Sequence, residues 1–265
     1  MHNRSMIWIA AILITVISVV YQKRTGPTYP KKGRIIIDGS AISFTLPRSE
    51  LSGKEAEIRL MIKNKKIKGR IRYKRFRSND EWEEVAMKRE GDILKASLPT
   101  QPAAGKIIYY VILEENDSIV SLTGSGGVVL RYKGDVPTYL LIPHIILMFM
   151  AMLLSNRAGI EAAVDGRRAH VYMIMTIWLL FIGGFIIGPL IQRYAFGSYW
   201  TGIPFGKDLT DNKTLIAMLG WLAAWFKNRR SVGSRGWIIG AACLMFIVYL
   251  IPHSLMGSEL DYTQP

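Results

Sequence analysis

The chain has 265 residues, half of them apolar, with 34 Lys and Arg against 20 Asp and Glu and a formal charge of +14. Its one cysteine, Cys243, excludes a disulfide framework, a CxxC redox pair and a CxxCH haem-attachment site. No Ser-His-Asp order, HExxH, phosphate-binding glycine loop or helical carboxylate pair stands in a suitable context, so hydrolase and kinase chemistry have no support, and anionic lipid headgroups are a nearer partner for the excess charge than nucleic acid.

Charge is unevenly spread. Met6 to Tyr21, Tyr139 to Leu154, Val171 to Ile191, Thr214 to Phe226 and Gly236 to Ile251 contain no Asp, Glu, Lys or Arg. A spanning helix needs about 20 residues, and a central charge costs roughly 2.5 to 3.5 kcal/mol on the insertion scale. The five runs therefore predict five transmembrane helices, with Thr214 to Phe226 the shortest. The expected fold class is an α-helical membrane bundle plus an all-β antiparallel sandwich, divided as 1–22, 23–136 and 137–265.

Met1 to Gln22 has a polar start with Arg4, an apolar stretch and no small-x-small cleavage site, the pattern of an uncleaved signal anchor. From Arg34 the pattern turns to short β-rich runs: Arg34 to Ile37, Ala41 to Leu46, Glu57 to Ile62, Lys68 to Arg77, Trp82 to Met87, Ile93 to Leu98, Lys106 to Leu113 and Val128 to Arg131. Asp38-Gly39, Pro47, Ser78-Asn79-Asp80, Glu90-Gly91-Asp92 and Pro102 break them. This spacing suggests a sandwich of the immunoglobulin or fibronectin type III kind, and Trp82 to Val111 resembles that class in bacterial surface proteins. Lys68, Arg70, Arg72 and Lys74 line one face of their strand; they form a solvated face or guarded edge, or else contact lipid headgroups or an acidic partner.

The segments Ser155 to Ala169 and Lys227 to Arg235 read as short basic loops. The positive-inside rule puts both in the cytoplasm of a bacterial multi-pass protein, with the N-terminus inside and the sandwich, residues 192–213 and the C-terminus outside. The basic residues Lys23, Arg24, Lys31 and Lys32, which follow the first helix, oppose that orientation. On it, Leu141-Ile142-Pro143-His144 and Leu250-Ile251-Pro252-His253 repeat one tetrapeptide at the outer ends of two antiparallel helices. A pair of imidazoles at matched depth can ligate a haem iron, and each alone can equally snorkel or cap. The loop at 192–213 carries Tyr194, Phe196, Tyr199, Trp200, Phe205, Asp208 and Asp211, which suits either a flat-ligand platform or an interfacial aromatic belt. Gly184-x-x-x-Gly188 and Gly236-x-x-x-Gly240 permit close helix packing.

Gly184 to Gly188, Phe196-Gly197-Ser198-Tyr199-Trp200, Asp211-Asn212-Lys213-Thr214-Leu215-Ile216 and Trp221 together resemble the cytochrome c assembly family, haem-handling membrane proteins with a tryptophan-rich WWD loop between histidine-bearing helices. The likeness runs from Pro137 to Tyr262. It implies a non-covalent b-type haem, with His144 and His253 matching the iron ligands, Trp200 a loop tryptophan and Asp211 the loop aspartate. Tyr199 and Phe205 would add rings to the macrocycle. Gly202 to Leu209 is extra to that motif, and a second and third tryptophan are missing. The resemblance implies haem handling or c-type cytochrome maturation, the sandwich engaging an apocytochrome or another assembly or redox subunit. A membrane-anchored scaffold whose basic sandwich binds a partner, and a quinone-linked b-haem redox subunit, are the alternatives.

Overall fold

The computed structural model describes residues 4–37, 39–116, 118–164, 166–230, 234–252 and 257–263. Asp38, His2 and His253 lie outside the described residues. The chain forms two compact units. One comprises Met1–Pro27, Val136–Tyr194 and Ser198–Ser258; the other comprises Thr28–Asp135, Ala195–Gly197 and Glu259–Pro265.

The second unit is built from strands. In chain order these are β1 (Lys31–Ile37), β2 (Ser40–Leu46), β3 (Ser49–Leu51), β4 (Ala56–Met61), β5 (Lys68–Arg75), β6 (Glu83–Ala86), β7 (Lys88–Glu90), β8 (Ile93–Leu98), β9 (Lys106–Glu115), β10 (Ser118–Ser121) and β11 (Val128–Lys133). All eight expected runs fall on strands; the short β3, β7 and β10 had too few residues to show a period. The largest sheet has the order β3-β11-β9-β5-β6, with β10 also on β9; β4-β8-β7 and β1-β2 form the others. The expectation of purely antiparallel pairing needs one correction, because β3 runs parallel to β11. Along β9 the side chains alternate between buried and half-buried, and Ile107, Tyr109, Val111 and Leu113 join Ile58, Leu60, Ile71, Leu94, Leu98 and Leu130 in one core. Each such aliphatic chain contributes about 1.5–3 kcal/mol on burial. Two buried phenols tie loops to this core: the Tyr109 hydroxyl donates to the Pro47 carbonyl (2.8 Å) and the Tyr132 hydroxyl to that of Pro99 (2.9 Å). Burial pushes both phenols up, so both stay protonated donors. At the C-terminal end Glu259 pairs with Arg77 and with the buried Lys106, while the Tyr262 N–H donates to the Arg77 carbonyl at 2.9 Å.

The first unit is helical: α1 (Arg4–Thr25), α2 (Thr138–Ala163), α3 (Ala169–Phe196), α4 (Leu209–Arg230) and α5 (Arg235–Leu250). Among the described residues three helices, α1, α2 and α3, are long and apolar enough to cross a membrane, not five. The remaining two fall short for different reasons. α5 has 16 residues, about 24 Å at 1.5 Å each against a hydrocarbon core of about 30 Å. α4 has length but carries Asp211, Lys213, Lys227, Arg229 and Arg230 within its 22 residues.

The segment read as the loop Ser155 to Ala169 also changes, because α2 continues to Ala163. Arg157 is therefore buried inside a helix, paired with Glu161 one turn on and flanked by the rings of Trp8 (5.3 Å) and Tyr172 (4.8 Å). A guanidinium with a carboxylate and two aromatic faces around it loses less on leaving water than a bare charge. Of the two glycine pairs, Gly184 does sit at a close approach, where an added Cβ would lie 2.6 Å from Thr214 Cγ2, but Gly236 and Gly240 face open space. The α2–α5 contact depends on Gly159 instead, where a Cβ would lie 2.6 Å from the Ala242 Cβ.

Candidate functional site

Within α3, residues Phe181–Ile187 wind as a π-helix, a wide turn that insertions of one residue produce and that recurs at functional sites. Gly183 and Gly184 occupy this turn and are buried against α2 and α4. The Gly183 carbonyl accepts the Gly188 N–H across the wide turn, and it accepts a second hydrogen bond from His144 Nδ1–H at 2.9 Å. A carbonyl oxygen can only accept, so Nδ1 carries the proton and, in the neutral ring, Nε2 keeps the lone pair. His144 is half-buried, six residues after the exposed start of α2 at Thr138.

Phe185, two residues beyond Gly183, stacks on Trp200 with ring centroids 5.7 Å apart and planes at 24°. It also stacks on Phe181 at 6.5 Å, and Phe181 meets Trp178 edge-on at 6.1 Å. One face of the Trp200 indole is thus taken by a protein ring, while its Nε1–H donates to the Ile203 carbonyl at 3.1 Å. Tyr199 is exposed with Arg193 over its ring at 5.9 Å, and Phe205 is 82 % exposed.

Asp211 anchors the loop that carries Trp200. Its Oδ2 accepts the N–H groups of Thr201 (2.6 Å) and Gly202 (3.0 Å), together with the side chains of Gln192 (3.0 Å) and Thr201 (3.3 Å). Asn212 Oδ1 accepts the Ile203 N–H at 2.7 Å. The loop is therefore folded back over the first turn of α4. Gly202 permits this, since a Cβ there would lie 2.6 Å from the Asp211 Cβ. Asp208 caps the same helix: Oδ1 takes the Thr210 N–H (2.7 Å), and Oδ2 takes both N–H and hydroxyl of Ser258 (2.9 and 3.1 Å). Lys213, also buried, donates from Nζ to the Ile251 carbonyl at 2.7 Å.

The structure thus brings Trp200 and Asp211 together around Gly202, and it joins His144 and Trp200 through the same π segment. Tyr199 and Phe205 are left at the surface. His253 lies outside the described residues. Sequence reasoning missed Gln192 and Ser258 as supports of this loop; a lone amide at the end of an apolar helix was the available signal for the first. It also passed over the i, i+4 spacing of Arg157 and Glu161, which announces a helical ion pair. Among the described residues no group of three or more His, Cys, Asp or Glu is placed to hold a metal ion.

No family model matches the chain, and neither a curated protein nor a solved structure matches it.

Proposed function

We propose that the chain is an integral membrane protein that binds haem at the outer boundary of its helical unit, with Nε2 of His144 as one iron ligand and His253 as the other. The observation that carries this reading is the 2.9 Å hydrogen bond from His144 Nδ1–H to the Gly183 carbonyl. Imidazoles that bind metals routinely give their second ring N–H to a carbonyl or carboxylate, which fixes the tautomer and the ring plane. The π segment that orients His144 also seats Trp200 through Phe185, so an indole and an imidazole depend on one stretch of α3. Asp211 acts by holding the loop in place. When bound, haem would supply one-electron chemistry at this boundary, in haem handling or c-type cytochrome maturation.

On this reading the three apolar helices lie in a bacterial cytoplasmic membrane. The α4–α5 hairpin inserts beside these three from the outer side as far as the inner boundary, so the basic segments around Arg167, Arg168, Lys227, Arg229 and Arg235 face the cytoplasm, while the β unit and the His144 end lie outside. The test is the absorbance of the full chain purified in detergent from cells supplied with haem. A Soret band lost in both His144→Ala and His253→Ala, with helical content unchanged, is expected. A colourless wild-type protein overturns the reading.

A second reading, a membrane-anchored binding module, is favoured by the outer face of the largest sheet. There Arg72 and Lys74 lie over the Trp82 ring at 4.9 and 5.3 Å, and Trp82 meets Tyr110 at 5.4 Å. β5 pairs with both β6 and β9, so these cations belong to an inner strand and guard no edge. Capture of an assembly or redox subunit by a colourless protein, abolished by Arg72→Ala with Lys74→Ala, selects this reading.

A further inference from the structure

Helices α1, α2 and α5 enclose a side groove of about 470 Å³, lined by Ile14, Gly159, Ile160, Cys243, Phe246 and Ile247 among others. Asn156 also borders it, but its amide is spent inside the protein, donating to the Thr15 hydroxyl at 3.0 Å. The walls therefore offer water almost nothing to bind. A groove of this kind in hydrocarbon is filled, because walls facing a void forfeit their dispersion contacts.

The ends of the groove are chemically unequal. Gly159, Ile160 and Ala163 belong to the last turn and a half of α2, after which Arg167 and Arg168 follow, both exposed. On α5 the lining begins at Ile239, one helical turn after the exposed Arg235 and on the same face. An apolar slot with cations at one mouth is complementary to a chain carrying a negative head, and basic pockets between helices on the cytoplasmic side are where anionic headgroups bind.

We infer that this groove is a binding site for an anionic phospholipid of the inner leaflet, one acyl chain lying along Ile160, Cys243 and Phe246 and the phosphate at Arg235. The inference rests on the reading that these helices lie in a bilayer, and it is independent of haem. Cys243, the single cysteine of the chain, is exposed at this groove and reports on the competing occupant, a helix of a second copy.

The experiment is native mass spectrometry of the full chain released from nanodiscs containing equal phosphatidylglycerol and phosphatidylcholine. One retained phosphatidylglycerol per chain is expected, preferred roughly fivefold, the ratio that about one cation near the surface confers. Cys243→Phe, which obstructs the middle of the groove, removes the bound lipid. Arg235→Gln, a surface change that leaves the groove intact, keeps a bound lipid but equalises the two headgroups. Retention of neither lipid, equal retention by the wild type, or a Cys243–Cys243 crosslink between chains in vesicles each overturns the inference. Release of the chain from membranes by alkaline carbonate without detergent overturns the bilayer reading itself.

Discussion

The carboxylate of Asp211 accepts the backbone N–H of Thr201 at 2.6 Å, tying the first turn of α4 to a loop residue ten positions earlier. The same oxygen takes the next amide, that of Gly202. One side chain thus satisfies two consecutive loop N–H groups that nothing in a regular ladder would serve. The loop that carries Trp200 is consequently a fixed element, and the orientation of its indole against Phe185 follows from it.

Asp211→Ala leaves those amides without their acceptor, at a cost of about 1–3 kcal/mol for each buried group. Hydrogen exchange at Thr201 and Gly202 should accelerate by at least tenfold, whereas Asp211→Asn, which keeps an acceptor oxygen, should show a smaller change. Unaltered exchange in the alanine variant would show that the loop is held by other contacts.

The α2–α5 contact at Gly159 predicts a compensating pair. Gly159→Ala places a methyl group 2.6 Å from the Ala242 Cβ and should destabilise the helical unit by about 1–3 kcal/mol. Ala242→Gly made in the same chain removes the opposing methyl, so unfolding of the double variant in detergent should return most of the loss. Strict additivity of the two changes would contradict the close approach.

Arg157 and Glu161 form a buried ion pair within α2. Arg157→Met alone strands the Glu161 carboxylate and should cost about 3–5 kcal/mol. Arg157→Met combined with Glu161→Leu removes both charges and should recover stability to near or above the wild type. A double variant as unstable as the single one would mean that the guanidinium is needed for something other than its partner, such as the rings of Trp8 and Tyr172.

In the β unit, Arg75 grips Asp80 through two hydrogen bonds of 2.6 and 2.7 Å, and this holds the carboxyl down to about 2. An unfolded aspartate titrates near 3.9. The folded form binds the proton less well, so the stabilisation is fully present above that range and is lost as pH falls from about 4 through about 2. Thermal midpoints of the full chain should fall over this window, and Asp80→Asn should flatten part of the slope. Parallel curves for the two proteins would rule out the pair as a source of acid sensitivity.

The β runs were legible because half-buried strands alternate with a period of two, a local property: Ile107, Tyr109, Val111 and Leu113 show it at a glance. Partner choice was not. The basic alternation of Lys68 to Lys74 looked compatible with an edge, yet β5 lies between two strands, with Arg70 matched by Glu84 and Glu114 from either side. Which carboxylates stand opposite a strand depends on register, and register is set by non-local pairing. In the helical unit the charge-free runs marked five helices, of which three are long and apolar enough to span, and charge alone misplaced the end of α2, since Arg157 is tolerated in a helix once Glu161 and two rings surround it.

By itself the sequence determined where the chain is apolar, where it is basic and where strands give way to helices, since these follow from composition and from periods of two and 3.6 along neighbouring residues. Tertiary structure alone decided that α2 runs on past Arg157 to Ala163, that His144 gives its Nδ1 proton to Gly183, and that Asp211 serves the loop amides. The physical reason is that a hydrogen bond or an ion pair needs its two partners within about 3 Å. The partners here are separated by 10 to 39 positions in the chain, so only the packed fold brings them to that distance.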